Sequence, residues 1–153
     1  MIDVNNENIK NATKIAVSLS GGADSAILFY HACDVLSDRT FIPWSGYDTR
    51  RPDSIFYAIE VYSFIKKSYP NVNILPLHKF EYTTVPGQFQ NTKEWSWQKD
   101  PKSVAHHNEE VKLWKKHNYT ITLNGMTSNP PDEAIKEYKM DVDTGHGVIE
   151  PRR

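Results

Sequence analysis

Cysteine is nearly absent from this sequence: one residue, Cys33, among 153. A single cysteine excludes a disulfide within the chain and a cysteine-rich zinc site. Cys33 falls inside an apolar helical stretch. We therefore expect it to be a small buried residue rather than a nucleophile.

Long apolar runs and strong charge are also missing. No window approaches the ~20 apolar residues that a membrane-spanning helix needs, and residues 1–7 lack the basic start and apolar run of a secretory signal. We therefore expect a cytoplasmic protein with no membrane partner. The net charge of −1 provides no electrostatic basis for tight nucleic-acid binding. We expect a small-molecule substrate, and leave open a homo-oligomer or a partner subunit that completes the site.

Short β-rich runs alternate with amphipathic stretches, which predicts an α/β, Rossmann-like fold with a parallel sheet of four to five strands and helices on both faces. Pro43 suggests that the second strand is near its end, because proline cannot donate to a ladder. In the first long helix, we expect Ala26, Ile27, Tyr30, Cys33 and Val35 to be available for packing. The predicted strands are 14–19, 40–44, 72–77 and 119–123, and the predicted helices are 24–36, 52–69 and 101–117.

We interpret residues 1–153 as one nucleotide-binding domain. It has an N-terminal extension (1–13), a long loop (79–100) and an irregular tail (133–153). No fifth strand is readable after Leu123. We therefore expect either a domain truncated at its C-terminus or a minimal domain that a partner completes.

Two familiar phosphate motifs, Gly-x-x-x-x-Gly-Lys-Ser/Thr and Gly-x-Gly-x-x-Gly, do not occur at the first strand-to-helix junction. Ser20-Gly21-Gly22-Ala23-Asp24-Ser25 stands there instead. Adjacent glycines bring backbone N–H groups close to an anion, and the following helix presents free N–H donors. The hydroxyls of Ser18, Ser20 and Ser25 add donors, and Asp24 can hold Mg²⁺. The alternative is a plain turn with Asp24 or Ser25 capping the helix.

Residues 15–25 closely resemble the PP-loop motif, Ser-Gly-Gly-x-Asp-Ser after a hydrophobic strand, of the ATP pyrophosphatase superfamily. The resemblance implies a HUP-type, adenine-nucleotide-alpha-hydrolase-like fold. It also implies an adenylating ligase that uses ATP and Mg²⁺, cleaves ATP between its α and β phosphates and transfers AMP to a carboxyl or carbonyl oxygen. Asp24 and Ser25 would then be catalytic, and Asp24 would also hold the metal. Ser18, Ser20, Gly21 and Gly22 would bind the nucleotide.

Two further stretches resemble the 7-cyano-7-deazaguanine synthase branch of that superfamily. Residues 47–51, Tyr-Asp-Thr-Arg-Arg, are similar to its Tyr-Gly-Gln-Arg-His segment, so Arg50 or Arg51 would contact phosphate. Residues 124–132 stand where the superfamily has a second loop, so Gly125 and Thr127 would line the nucleotide. The branch implies a purine-like substrate, but its four-cysteine zinc site is missing here.

Two alternative functions remain. One is an ATP-binding subunit that is non-catalytic or depends on a partner. The other is an adenylylsulfate-reductase-like protein, which needs a reactive cysteine that Cys33 does not suit. His106 and Glu110 lie one turn apart on the predicted helix 101–117, but no third metal ligand is identifiable, so we expect a solvent-facing helix there.

Overall fold

The computed structural model describes residues 2–84 and 100–125, together with the backbone of residues 148–149. Helices and strands alternate through most of these residues, as the sequence pattern predicts. In chain order they are α1 Glu7–Asn11, β1 Lys14–Ser18, α2 Ala23–Val35, β2 Thr40–Asp48, α3 Ser54–Ser68, β3 Asn73–Ile74, β4 His78–Tyr82, α4 Pro101–His117, β5 Ile121–Asn124 and β6 Val148–Ile149.

All the described strand pairs are parallel, and the sheet order is β3-β2-β1-β5-β6 with β4 also paired to β2. Strand β3 pairs with the start of β2 and β4 with its second half, so six segments fill five positions across the sheet. This confirms the predicted α/β, Rossmann-like fold with a sheet of four to five strands.

The helices cover both faces of the sheet because successive strand side chains point to opposite sides. Ile15 and Val17 pack with α2 and α3 in one buried cluster, where the Phe29 and Phe41 rings meet edge to face at 5.7 Å. Ala16, one residue along, belongs to the second cluster with Leu113 of α4. In the described part of the chain, no helix is long and apolar enough to cross a membrane.

The sequence predicted that strand β2 ends near Pro43, but the strand continues to Asp48. The register explains why the proline is tolerated. The ladder to β3 covers Thr40 and Phe41, and the ladder to β4 begins at Trp44. Pro43 therefore lies at the gap between two partners, where a missing N–H interrupts neither ladder.

Strand β4 occupies the start of the predicted 79–100 loop, and β6 lies in the predicted irregular tail. Only Phe80 of β4 is buried, and β6 has just two residues, so neither has the apolar run that marks a buried strand. The sequence therefore did not reveal the strand that follows β5, although the predicted number of four to five strands holds. The predicted third strand, 72–77, shortens to Asn73–Ile74.

Helix α2 buries fewer of its apolar residues than we expected. Phe29, Ala32 and Cys33 are fully buried, whereas Ile27, Tyr30 and Val35 are exposed. Since the sheet contacts one face of the helix, apolar residues on its other faces stay in solvent. Of the residues that the sequence made available for packing, Ile27, Tyr30 and Val35 are therefore not part of the buried core.

Candidate functional site

The candidate site lies at the carboxyl ends of β1 and β5. Strand β1 lies between β2 and β5 in the sheet. The strands that directly follow β1 in the chain are placed on the β2 side, and β5 is placed on the other side, so the strand order reverses between β1 and β5. Ser18, the last residue of β1, is in register with Asn124, the last residue of β5. Open parallel sheets bind ligands in the crevice at such a switch point.

Hydroxyl groups close the loop between β1 and α2. Ser25 is 2% exposed, and its Oγ donates to the Gly22 carbonyl oxygen at 3.1 Å while accepting from the Ser20 backbone N–H at 3.3 Å. The Ser20 Oγ lies 3.1 Å from the Ser25 Oγ and accepts from the Gly22 N–H at 3.2 Å. These hydrogen bonds give both serine side chains a structural role in stabilising the turn.

Two glycines allow neighbouring elements to approach this loop closely. Gly21 has φ +83°, and a Cβ added there would lie 2.7 Å from the Tyr57 Cβ of α3. A Cβ on Gly125, just after β5, would lie 2.7 Å from the Ser25 backbone nitrogen. The loop is thus held between α3 and the end of β5, and larger residues at either glycine would push it out of place.

The start of α2 is open to an anion. Gly22 is the N-cap residue, and it has no side chain that could accept a hydrogen bond from the first N–H groups of the helix. The first N–H groups of a helix have no partner within the helix, and the helix dipole favours negative charge there. Gly22 and Asp24 are both exposed beside these groups. The arrangement suits a phosphate.

The predicted metal ligand, Asp24, stands alone. No group of three or more histidine, cysteine or acidic side chains with the spacing of a metal site occurs within residues 2–84 and 100–125. Mg²⁺ in nucleotide sites uses one or two carboxylates together with phosphate oxygens, so Asp24 fits as a single ligand to a nucleotide-bound ion. Its assignments to metal binding and catalysis remain predictions.

The two predicted arginines differ in their contacts. Arg50 forms an ion pair with Asp48 at 3.3 Å, and both also contact the Thr84 hydroxyl. Hydrogen bonds from Thr84 and from the Arg50 backbone hold the pKa of Asp48 well below its usual range. Arg51 is exposed in the turn before α3. Thr127 lies outside the described residues, so its predicted role is not described.

Sequence reasoning missed two residues at this site. The Tyr57 Cβ lies so close to Gly21 that it leaves no room for a side chain there. Nothing in the sequence around Tyr57 on α3 predicts this contact. Asn124 ends β5 beside Ser18, and the sequence showed it only as part of a loop. Both become visible when distant segments pack together.

A second cluster lies on the opposite face of the sheet, under α4. His106 contacts the rings of Trp44, Phe80 and Tyr82, with its centroid 4.9 Å from that of Phe80, and burial lowers its pKa. Glu110 accepts from the buried Thr122 hydroxyl at 2.9 Å. The expectation that this pair marks a solvent-facing helix was wrong, because both side chains serve the packing of α4.

Comparison with known proteins supports the fold. The known protein-family models and the curated protein sequences include no significant match to this chain. A universal stress protein solved in complex with cAMP matches with a TM-score of 0.57 and 10% sequence identity, over 92% of this chain and 97% of that one. A protein of the universal stress protein family from Burkholderia pseudomallei matches with a TM-score of 0.43 and 11% identity, over 92% and 96% of the two chains.

The similarity to the cAMP-bound universal stress protein corrects the family and the function expected from the sequence. Universal stress proteins form a different Rossmann-like superfamily from the PP-loop ATP pyrophosphatases. The PP-loop assignment, its deazaguanine branch and the adenylating ligase activity were therefore wrong, and the two alternatives are likewise unsupported. The hydrogen bonds of Ser20 and Ser25 show the physical reason, since a tight strand-to-helix turn needs the same residues. Burial also raises the pKa of the Cys33 thiol to about 12, unlike a reactive cysteine.

Proposed function

We propose that this protein binds an adenine nucleotide at the β1–β5 switch point, with the phosphate on the Ser20–Ser25 loop. The observation that carries the proposal is the uncapped start of α2, between the close approaches at Gly21 and Gly125. Its N–H donors face the end of the sheet where ligands of this architecture bind. The cAMP complex of the universal stress protein with the same fold supports the choice of nucleotide.

Calorimetric titration with cAMP, AMP, ATP and adenosine determines which of these ligands the protein binds. Adenosine lacks the phosphate, so it should bind at least about tenfold more weakly than the best nucleotide if the helix start binds an anion. Equal affinity for adenosine and AMP would show that the phosphate does not use this loop. No heat with any of the four would contradict nucleotide binding.

The loop itself is tested by Gly22→Asp. A Cβ at Gly22 would approach only the Ser20 Oγ, at 3.3 Å, so the variant should fold. A carboxylate within a few ångströms of the bound phosphate should weaken binding roughly tenfold or more. Ser37→Asp is the matched control, because it adds the same charge at the far end of α2, about 20 Å away. If both variants lose the same affinity, net charge rather than the loop determines binding.

For ATP, we further propose that Mg²⁺ bridges the phosphates and Asp24. Asp24→Asn should then weaken ATP binding in the presence of Mg²⁺, whereas AMP without the metal should bind as tightly or more tightly, because a negative charge beside the phosphate is removed. Titration of both ligands, with Mg²⁺ and with EDTA, separates these cases. An Asp24→Asn variant that binds Mg²⁺-ATP as tightly as the parent protein would remove Asp24 from the site.

A further inference from the structure

A groove of about 630 Å³ separates α2 from α3, and its lining begins at Ala26, one residue after the Ser20–Ser25 loop. Side chains spaced three or four residues apart on each helix line it, as expected for two helices that lie side by side. From α2 they are Ala26, Ile27, Tyr30, His31 and Asp34, and from α3 they are Glu60, Val61, Phe64 and Ile65.

The groove is largely apolar, and its aromatic side chains contact one another. Ile27 and Phe64 are each 63% exposed, although both are large apolar residues. The Tyr30 ring stacks on the Phe64 ring at 6.2 Å and meets the Tyr69 ring edge to face at 4.9 Å. An exposed apolar surface of this kind is typical of an interaction site rather than of a solvent-facing helix.

The charge around the groove is one-sided. Among its lining residues Asp34 and Glu60 are acidic, His31 is a histidine, and none is a lysine or arginine. A largely apolar groove with two acidic side chains in its lining is complementary to an amphipathic helix that has basic residues beside its apolar stripe. Recognition of a helix in such a groove uses apolar anchors at helical spacing, and complementary charge sets its partner and orientation.

We infer that the α2–α3 groove docks an amphipathic helix of another protein, one with lysine or arginine flanking its apolar face. Phe64 and Ile27 provide the apolar contact, while Asp34 and Glu60 select the basic partner. This surface does not include the nucleotide loop, so the inference stands apart from the proposed function.

The test uses the full chain and a fluorescein-labelled, 18-residue helical peptide built from leucine and lysine, followed by fluorescence anisotropy. The same peptide with glutamate in place of lysine should bind at least about tenfold more weakly. The double variant Asp34→Asn, Glu60→Gln should reduce binding of the lysine peptide at 50 mM salt and much less at 500 mM, where charge is screened.

Phe64→Ser should weaken binding of the lysine peptide about tenfold or more, because it removes a ring that the peptide would bury. Trp114→Ser is the matched control, since Trp114 on α4 is 51% exposed and lies outside the groove. It should leave the affinity unchanged. If Phe64→Ser does not fold, Ile27→Ser makes the same test.

Three results would overturn the inference. The first is equal binding of the lysine and glutamate peptides. The second is an equal loss of affinity in Phe64→Ser and Trp114→Ser, which would indicate general hydrophobic adhesion. The third is a dimer, observed by sedimentation of the protein alone, that Phe64→Ser abolishes. In that case a second copy of the chain occupies the groove.

Discussion

Helix α2 begins after Gly22 with no side-chain cap, whereas helix α4 begins after Asp100, whose carboxylate accepts from the Ser103 backbone N–H at 3.2 Å and from its hydroxyl at 2.8 Å. Helix α4 also has a proline in its first turn, Pro101. Both helices follow strands of the same sheet and are of similar length. One start is satisfied by its own residues, and the other is left open.

The difference separates stability from binding. A side-chain cap contributes about 1 kcal/mol to a helix, and α4 gains this contribution while α2 does not. The open N–H groups of α2 lie at the switch point of the sheet, where a ligand would replace the cap. The capped start of α4 contributes to stability, and the uncapped start of α2 is part of the proposed binding site.

The largest effect is expected at the turn that leads into α2. Gly21→Ala places a Cβ 2.7 Å from the Tyr57 Cβ, at a φ of +83°, so we expect the free energy of unfolding to fall by about 3 kcal/mol. Urea denaturation measures the loss. Gly22→Ala is the control, because its φ is −84° and its added Cβ meets only the Ser20 Oγ. Equal losses in the two variants would contradict the assigned role of Gly21.

The cap of α4 comes next. Asp100→Ala should lower the free energy of unfolding by about 1 kcal/mol, because the Ser103 N–H loses its acceptor. Asp100→Asn keeps a side-chain acceptor and should stay close to the parent protein. Nucleotide affinity should not change in either variant. If Asp100→Ala weakens binding of AMP as strongly as Gly22→Asp does, the two helix starts are not functionally distinct.

A smaller, opposite effect is expected when α2 is given the kind of cap that α4 has. Gly22 already has the extended backbone of an N-cap residue, so Gly22→Asp should raise the free energy of unfolding by about 0.5 kcal/mol. Thermal and urea denaturation without nucleotide measure the gain. Higher stability together with weaker nucleotide binding would show that the open helix start is kept for the ligand. Lower stability would mean that the loop cannot accept a cap.

The smallest effect concerns pH at the packed helix. Burial lowers the pKa of His106 below its ordinary value of 6.5. Between the lowered pKa and 6.5 the unfolded chain binds a proton that the folded chain does not, so stability falls as pH drops through this interval. His106→Gln should show a smaller loss of stability between pH 7.5 and pH 5.5 than the parent protein. Some loss should remain, because burial also lowers the pKa of His117.

The sequence predicted the long elements best. Helix α4 spans Pro101–His117 as expected, because Asp100 and Pro101 mark its start and Asn118, with its positive φ, ends it. The turn after β1 was also found, since adjacent glycines at a strand end have few other uses. The polar strand β4 and the two-residue β6 were not predicted, because their own residues have no apolar strand pattern. They are strands because they pair with β2 and β5.

The function expected from the motif failed for a related reason. Ser20, Gly21, Gly22 and Ser25 satisfy the hydrogen bonds and backbone angles of a tight turn, so the six residues alone do not identify a superfamily. The fold of the whole chain is similar to that of a universal stress protein, with a TM-score of 0.57.

The sequence by itself determined the alternation of strands and helices and the position of the loop, because apolar periodicity, glycine and capping residues act over a few positions. The tertiary structure decided what surrounds that loop. It brought Tyr57 against Gly21 and Gly125 against Ser25, and it left Ile27 and Phe64 in solvent. The reason is that burial and close contact depend on which faces meet, and those faces come from segments distant in the chain.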